Sequence, residues 1–223
     1  MPNGPSAHAS LYDGEAGRIE GTAERDKGMA GLQAGGVGAR LHAMAGKPPD
    51  GAKLYEAALN HLARYAATEA GLTRVLIRKV DRWARLYAGE DAEPEETVAA
   101  ARRAKAVIPG VIARLREAGV LNDDAFATSR AKRLTREGKS RRATLAHLAA
   151  KGVMGATLPD DPERELAAAC AYLRRRRAGP FGDAPEQKIL AAMARGGFSQ
   201  DLARHALRLD RDEAEALIKG LHE

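Results

Sequence analysis

The amino-acid sequence predicts an all-α fold: tandem three-helix modules, three repeats in an elongated curved array, behind a disordered N-terminal tail. Three observations predict it. Apolar residues recur at i, i+3, i+4 from Leu54 onward, which gathers them on one helix face. The pattern also returns at long period, as Leu72, Val75, Leu76 and Val80, then Leu145, Leu148, Ala149 and Val153, then Leu190, Met193, Ala194 and Phe198. Aromatic residues are only 4% of the 223, so a core must be built from Ala, Leu, Val and Ile.

Residues 1–50 stand apart. They hold 10 of the 23 glycines, one aromatic (Tyr12) and no apolar run, with five basic side chains against six acidic ones. Such a chain buries too little apolar surface to offset its ordering entropy, so it reads as a disordered tail closed by Lys47-Pro48-Pro49-Asp50.

Module one spans 51–121. Its second helix runs past Lys79 through Trp83 to Leu86. Its third carries Val107, Ile108, Val111, Ile112 and Leu115, begins or kinks at Pro109-Gly110, and ends at Gly119. Module two spans 122–160. Asp123 serves as N-cap of a helix that turns Ala127, Ala131 and Leu134 inward. The next helix ends at Gly152, whose left-handed cap lets Val153 fold back on it. Residues 153–159 leave room for barely one or two turns, so the third helix is stunted or missing. Module three, 161–223, includes a C-terminal helix. Asp161-Pro162 opens its first helix, with Leu166, Cys170 and Leu173 inward. Gly197 repeats the glycine cap, and Ser199 starts a helix carrying Leu202, Ala203, Ala206 and Leu207. Units of about 40 residues are too small to stand alone, so neighbours must share apolar faces.

Composition narrows the function. The net charge is +6, and the tail is nearly neutral, which leaves 31 basic against 24 acidic residues beyond it. That surplus permits binding to polyanions. The single cysteine, Cys170, excludes a disulfide framework and a thiolate zinc site and fits a reducing cytoplasm. The start, MPNGPSAHAS, lacks the basic-then-apolar pattern of a secretory signal, and no stretch approaches the roughly 20 apolar residues of a membrane span. No catalytic residue, metal or cofactor is expected. His8, His42, His61, His147, His205 and His222 are scattered, and Gly35, Gly36 and Gly38 lack the strand and helix of a phosphate cradle.

Charge concentrates at one place. Arg130, Lys132, Arg133, Arg136, Lys139, Arg141, Arg142 and Lys151 are opposed only by Glu137, a local charge of +7. With Ala127, Ala131 and Leu134 inward, Lys132, Arg133 and Arg136 point outward. Lys139 to Arg142 then open the next helix, where positive charge opposes the macrodipole. That placement favours a partner-binding surface over an ordinary solvated face. The second cluster, Arg174, Arg175, Arg176 and Arg177, admits both readings, since cations suit a helix C-terminus and their stems can cover apolar surface. A base-reading helix-turn-helix is not supported: after TLAHLAAKGV comes the short, acidic MGATLPDD, with no fork of Arg, Asn or Gln for base edges. Nonspecific phosphate contact stays open.

The segment LREAGVLNDDAFATSRAKRLTREGKSRRATLAHLAAKGV, Leu115 to Val153, resembles the central block of the RecX family of regulatory proteins. The marks are an acidic turn after AGVL, then Asp-Ala-Phe-Ala, a basic helix, Gly-Lys-Ser, and a leucine helix closed by Lys-Gly-Val. YLRRRRAGPFG and AMARGGFSQDLARHAL are similar to the family's C-terminal module, and the likeness runs from about residue 54 to 210. The resemblance implies a protein without catalytic activity that binds the RecA recombinase, chiefly its filament on single-stranded DNA, and dampens ATP hydrolysis, strand exchange and coprotease function. The basic cluster would make the contact, with a monomer as the acting form. The rival reading is a nonspecific helical protein bound to single-stranded DNA phosphates; a third is a helical adaptor for another partner.

Overall fold

The computed structural model describes residues 46–87 and 93–222. The expectation of a disordered tail falls, up to residue 45, outside them. Residues 46–50 lie within the described part and touch the helices at three points. Pro49 is buried, the Trp83 indole N–H donates to the Gly46 carbonyl at 3.0 Å, and Asp50 caps the first helix by accepting the Lys53 N–H at 2.8 Å.

The helices are α1 (Gly51–Leu62), α2 (Glu69–Tyr87), α3 (Pro94–Ala106), α4 (Ile108–Glu117), α5 (Asp123–Arg136), α6 (Arg141–Lys151), α7 (Pro162–Arg176), α8 (Glu186–Arg195), α9 (Gln200–Arg208) and α10 (Arg211–Gly220). α2 runs through a buried Trp83, as its missing glycine predicts. Around Pro109 there are two helices rather than one. Proline has no N–H to reach back four residues, so α3 ends and Pro109 sits in the first turn of α4, where that N–H is not needed. No third helix follows α6, for residues 153–161 are turn and coil.

Among the described residues, one feature departs from all-α. Ala178–Gly179 (β1) and Gly182–Asp183 (β2) pair antiparallel, Ala178 with Asp183 and Gly179 with Gly182. Arg177 ends α7 in the left-handed region at φ 51°, and the chain reverses through Gly179-Pro180.

Among the described residues, apolar side chains gather in three clusters: one from Leu54 to Leu121, a small one around Ala127, Leu148 and Val153, and one from Ala167 to Leu221. Leu72, Leu76, Val80, Leu148, Val153, Met193 and Phe198 are buried as the stripe predicts, but in α6 and α8 the first inward position falls one residue earlier. Leu72 and Leu76, Thr144 and Leu148, and Ile189 and Met193 are buried, whereas Ala149 and Ala194 are exposed. In α6 the apolar pattern misleads at that position because Thr144, a polar residue, takes the inward place. α7 also buries more than its stripe. Ala167 to Ala171 are all covered, since α5, α9 and α10 pack around this helix and alanine lets them come close.

A distinctive joint occurs twice. Thr68, ahead of α2, accepts the Gly71 N–H and donates to the Lys151 carbonyl at 2.7 Å. Ser140, ahead of α6, accepts the Ala143 N–H and donates to the Gly196 carbonyl at 2.6 Å. In both, a capping hydroxyl at one helix start closes the end of a later helix. A carboxylate completes each joint: Asp123 accepts the Glu69 N–H at 2.8 Å, and Glu165 accepts the Arg141 N–H at 2.9 Å. Asp123 was expected to cap its own helix; Asn122 does that instead, through the Ala125 N–H. Glycine is required at the acceptor end. Gly152 has φ 96°, and a Cβ there would collide with Ala70.

Candidate partner-binding surface

The cations of 130–151 separate into two sets. Arg136, Arg141 and Arg142 donate to main-chain carbonyls. Arg136 Nε meets Leu221 O at 2.9 Å beyond α10, Arg141 binds Leu158 O through Nε and a terminal nitrogen, and Arg142 reaches Ala194 O at 3.2 Å in the last turn of α8. Two of these carbonyls, of Leu221 and Ala194, lie at helix ends, where the negative end of the macrodipole favours a guanidinium. The predicted conflict between Lys139–Arg142 and the α6 N-terminus thus has a local answer. Glu165 supplies the negative charge at that terminus, and two of the arginines turn toward carbonyls elsewhere.

The other set faces outward. Lys132 and Lys139 are exposed on the α5–α6 segment. Arg133 pairs with Glu137 at 2.9 Å on an open surface, a contact of little stabilising value. This hydrogen bond, joined by the charges of Arg133, Arg130 and Arg175 and opposed by slight burial, holds the Glu137 carboxyl below its usual range. Arg130 donates from Nε to His147 Nε2 at 3.1 Å. That bond needs a bare imidazole nitrogen. Partial burial and then the charges of Arg130, Lys151 and Lys139 hold His147 below its ordinary pKa. Lys151 lends its carbonyl to Thr68 and Arg74 while its side chain stays exposed.

The second basic cluster divides as well. Arg175 donates to the Glu137 carbonyl at 2.7 Å, just past α5, and Arg176 lies over the Tyr172 ring, 4.8 Å from its centroid. Arg174 and Arg177 are exposed.

The sequence reading missed Arg64, Arg74 and Arg78. They join Arg130, Arg133 and Lys151 in the lining of a groove between α2 and α5. Arg74 and Arg78, four residues apart on α2, offered the only signal, a shared helix face.

Nothing among the described residues gathers three or more His, Cys, Asp or Glu into a potential metal site. Cys170 is fully covered, and burial pushes its thiol up to about 11, so it stays protonated. No described helix is long and apolar enough to cross a membrane.

A regulatory protein RecX of Myxococcus xanthus (strain DK1622) is 36% identical to this chain over 166 residues, covering 69% of the chain and 83% of the relative. The chain belongs to the RecX family. A second regulatory protein RecX, of Agrobacterium fabrum (strain C58 / ATCC 33970), is 30% identical over 105 residues, covering 44% of this chain and 57% of its own length. No family model and no solved structure matches the chain. The resemblance seen in Leu115–Val153 lies on the end of α4, on α5 and α6, and on the turns between them.

Proposed function

We propose that this protein is a non-enzymatic regulator of the RecA recombinase. It binds the RecA filament on single-stranded DNA and lowers ATP hydrolysis, strand exchange and coprotease activity, modulating recombinational repair as a cytoplasmic monomer. Membership of the RecX family carries the reading. The outward cations support it physically, because a positive surface is drawn to an acidic protein groove and to exposed phosphates. Three stacked modules, divided near residues 121 and 160, would let the molecule touch more than one filament subunit. Weak contacts linked in this way add through effective concentration.

The test is DNA-dependent ATP hydrolysis by RecA in the presence of the full chain. Wild type should inhibit it, and Lys132→Glu/Lys139→Glu with Arg133→Glu should inhibit much less while remaining folded. No inhibition by wild type sinks the reading; full inhibition by the folded variant moves the contact to another surface. Inhibition abolished by excess bare single strands would favour simple occupation of the DNA. Arg136, Arg141 and Arg142 are unsuitable for this experiment, since each holds a carbonyl of another segment.

A further inference from the structure

A groove of about 640 Å³ opens beside the α1–α2 turn and between α2 and α5. Its lining includes Arg64, Arg74, Arg78, Arg130, Arg133 and Lys151, and no carboxylate. Six cations lining one concavity repel each other, and the fold offers them little relief. Glu137 reaches Arg133 from the end of α5, and Arg74 touches the Lys151 carbonyl at the long distance of 3.4 Å. Arg130 is bonded to a histidine rather than to an acid. An anion entering the groove would therefore relieve a charge imbalance that the chain itself leaves standing.

The aromatic residues of the lining narrow the choice of anion. Tyr65 is 61% exposed although it is large and partly apolar. Its ring lies 5.3 Å from that of His61, tilted by 40°, and both side chains belong to the same groove. We propose that this groove holds a single strand of nucleic acid, with guanidinium groups on consecutive phosphates and the Tyr65–His61 pair against an unpaired base. A charged groove beside an exposed ring is what sequence-independent strand binding needs, since every base has a face to stack. A duplex keeps those faces inside its own stack, and an acidic peptide would use the cations but leave the tyrosine idle. The inference does not depend on the RecA reading, because it concerns binding by the chain alone.

The test is fluorescence anisotropy of a labelled short oligothymidylate with the full chain, over a range of salt concentrations. Neutralising two phosphate contacts with Arg64→Gln/Arg78→Gln should flatten the dependence of log affinity on log salt by about 1.4, near 0.7 per contact on a single strand. Tyr65→Ala should weaken binding about fivefold or more, and Tyr65→Phe should keep it. These side chains are exposed, so folding should survive, with helicity by circular dichroism as the check. Should the double variant not fold, the two tyrosine variants decide alone. The proposal is overturned if wild type prefers a duplex of equal length, or if polyglutamate competes as well as unlabelled oligothymidylate. Affinity and salt slope unchanged in the folded variants would overturn it too. RecA is absent from this assay, so its outcome is separate from that of the ATP-hydrolysis experiment.

Discussion

Ser140 donates its hydroxyl proton to the Gly196 carbonyl oxygen at 2.6 Å while its own oxygen accepts the Ala143 N–H at 3.1 Å. The Ser140 side chain is fully buried, and both partner residues are half-buried. Losing an N-cap costs about 1 kcal/mol, and leaving the half-buried Gly196 carbonyl without its donor adds about 1–2 kcal/mol, the lower part of the range for a buried group. Ser140→Ala should therefore lower the unfolding free energy by about 2–3 kcal/mol in urea titration. A loss under about 0.5 kcal/mol would mean that the joint contributes little.

Gly152 and Gly155 both have positive φ, but only Gly152 is crowded. Gly155→Ala should cost about 1 kcal/mol, the strain of a left-handed alanine. Gly152→Ala adds the collision with Ala70 and should cost about 3 kcal/mol. Equal midpoints for the two variants in thermal melts would contradict the close approach of the α6 end to the α2 start.

Charge reversal should sort the basic residues by stability. Arg136→Glu, Arg141→Glu and Arg142→Glu each remove a donor and set a carboxylate beside a carbonyl, and each should cost about 0.5–1.5 kcal/mol, most at the half-buried Arg136 bond. Lys132→Glu and Lys139→Glu should stay within about 0.5 kcal/mol of wild type. Denaturant midpoints for these five variants supply the comparison.

His147 sets a pH dependence. Partial burial first, and then Arg130, hold its folded-state pKa below the ordinary 6.5. As pH falls through that value, the unfolded chain takes up a proton that the folded chain refuses, so unfolding becomes easier. The stabilisation from the neutral imidazole is complete above pH 6.5 and declines as pH drops toward and through the lowered folded value. His147→Gln should flatten that decline, measured as the difference in unfolding free energy between pH 7 and pH 5. An identical slope in the variant would show that this histidine does not titrate differently on folding.

Much of the helix framework can be read along the chain because its signals are local. Asp161-Pro162 opens α7, Ser199 opens α9, and the glycines at 152 and 197 end α6 and α8 in the left-handed conformation, since each motif acts within a turn of itself. Asp123 is different. The N–H it accepts belongs to Glu69, 54 residues away, and nothing near Asp123 announces that. Arg141 and Arg142 looked misplaced at a helix start because Glu165 and the carbonyls that receive them come from later segments. The groove was hidden for the same reason. Its cations come from the α1–α2 turn, α2, α5 and α6, and no window of the sequence shows them together.

The twin hydroxyl joints also bear on synthesis. Thr68 precedes its acceptor by 83 residues and Ser140 precedes its acceptor by 56, so each donor leaves the ribosome long before the segment that receives it. Until then the leading ends of α2 and α6 keep a bare hydroxyl exposed to water. Neither joint can close on the ribosome before its acceptor segment has emerged, so a chain truncated ahead of residue 151 leaves both open.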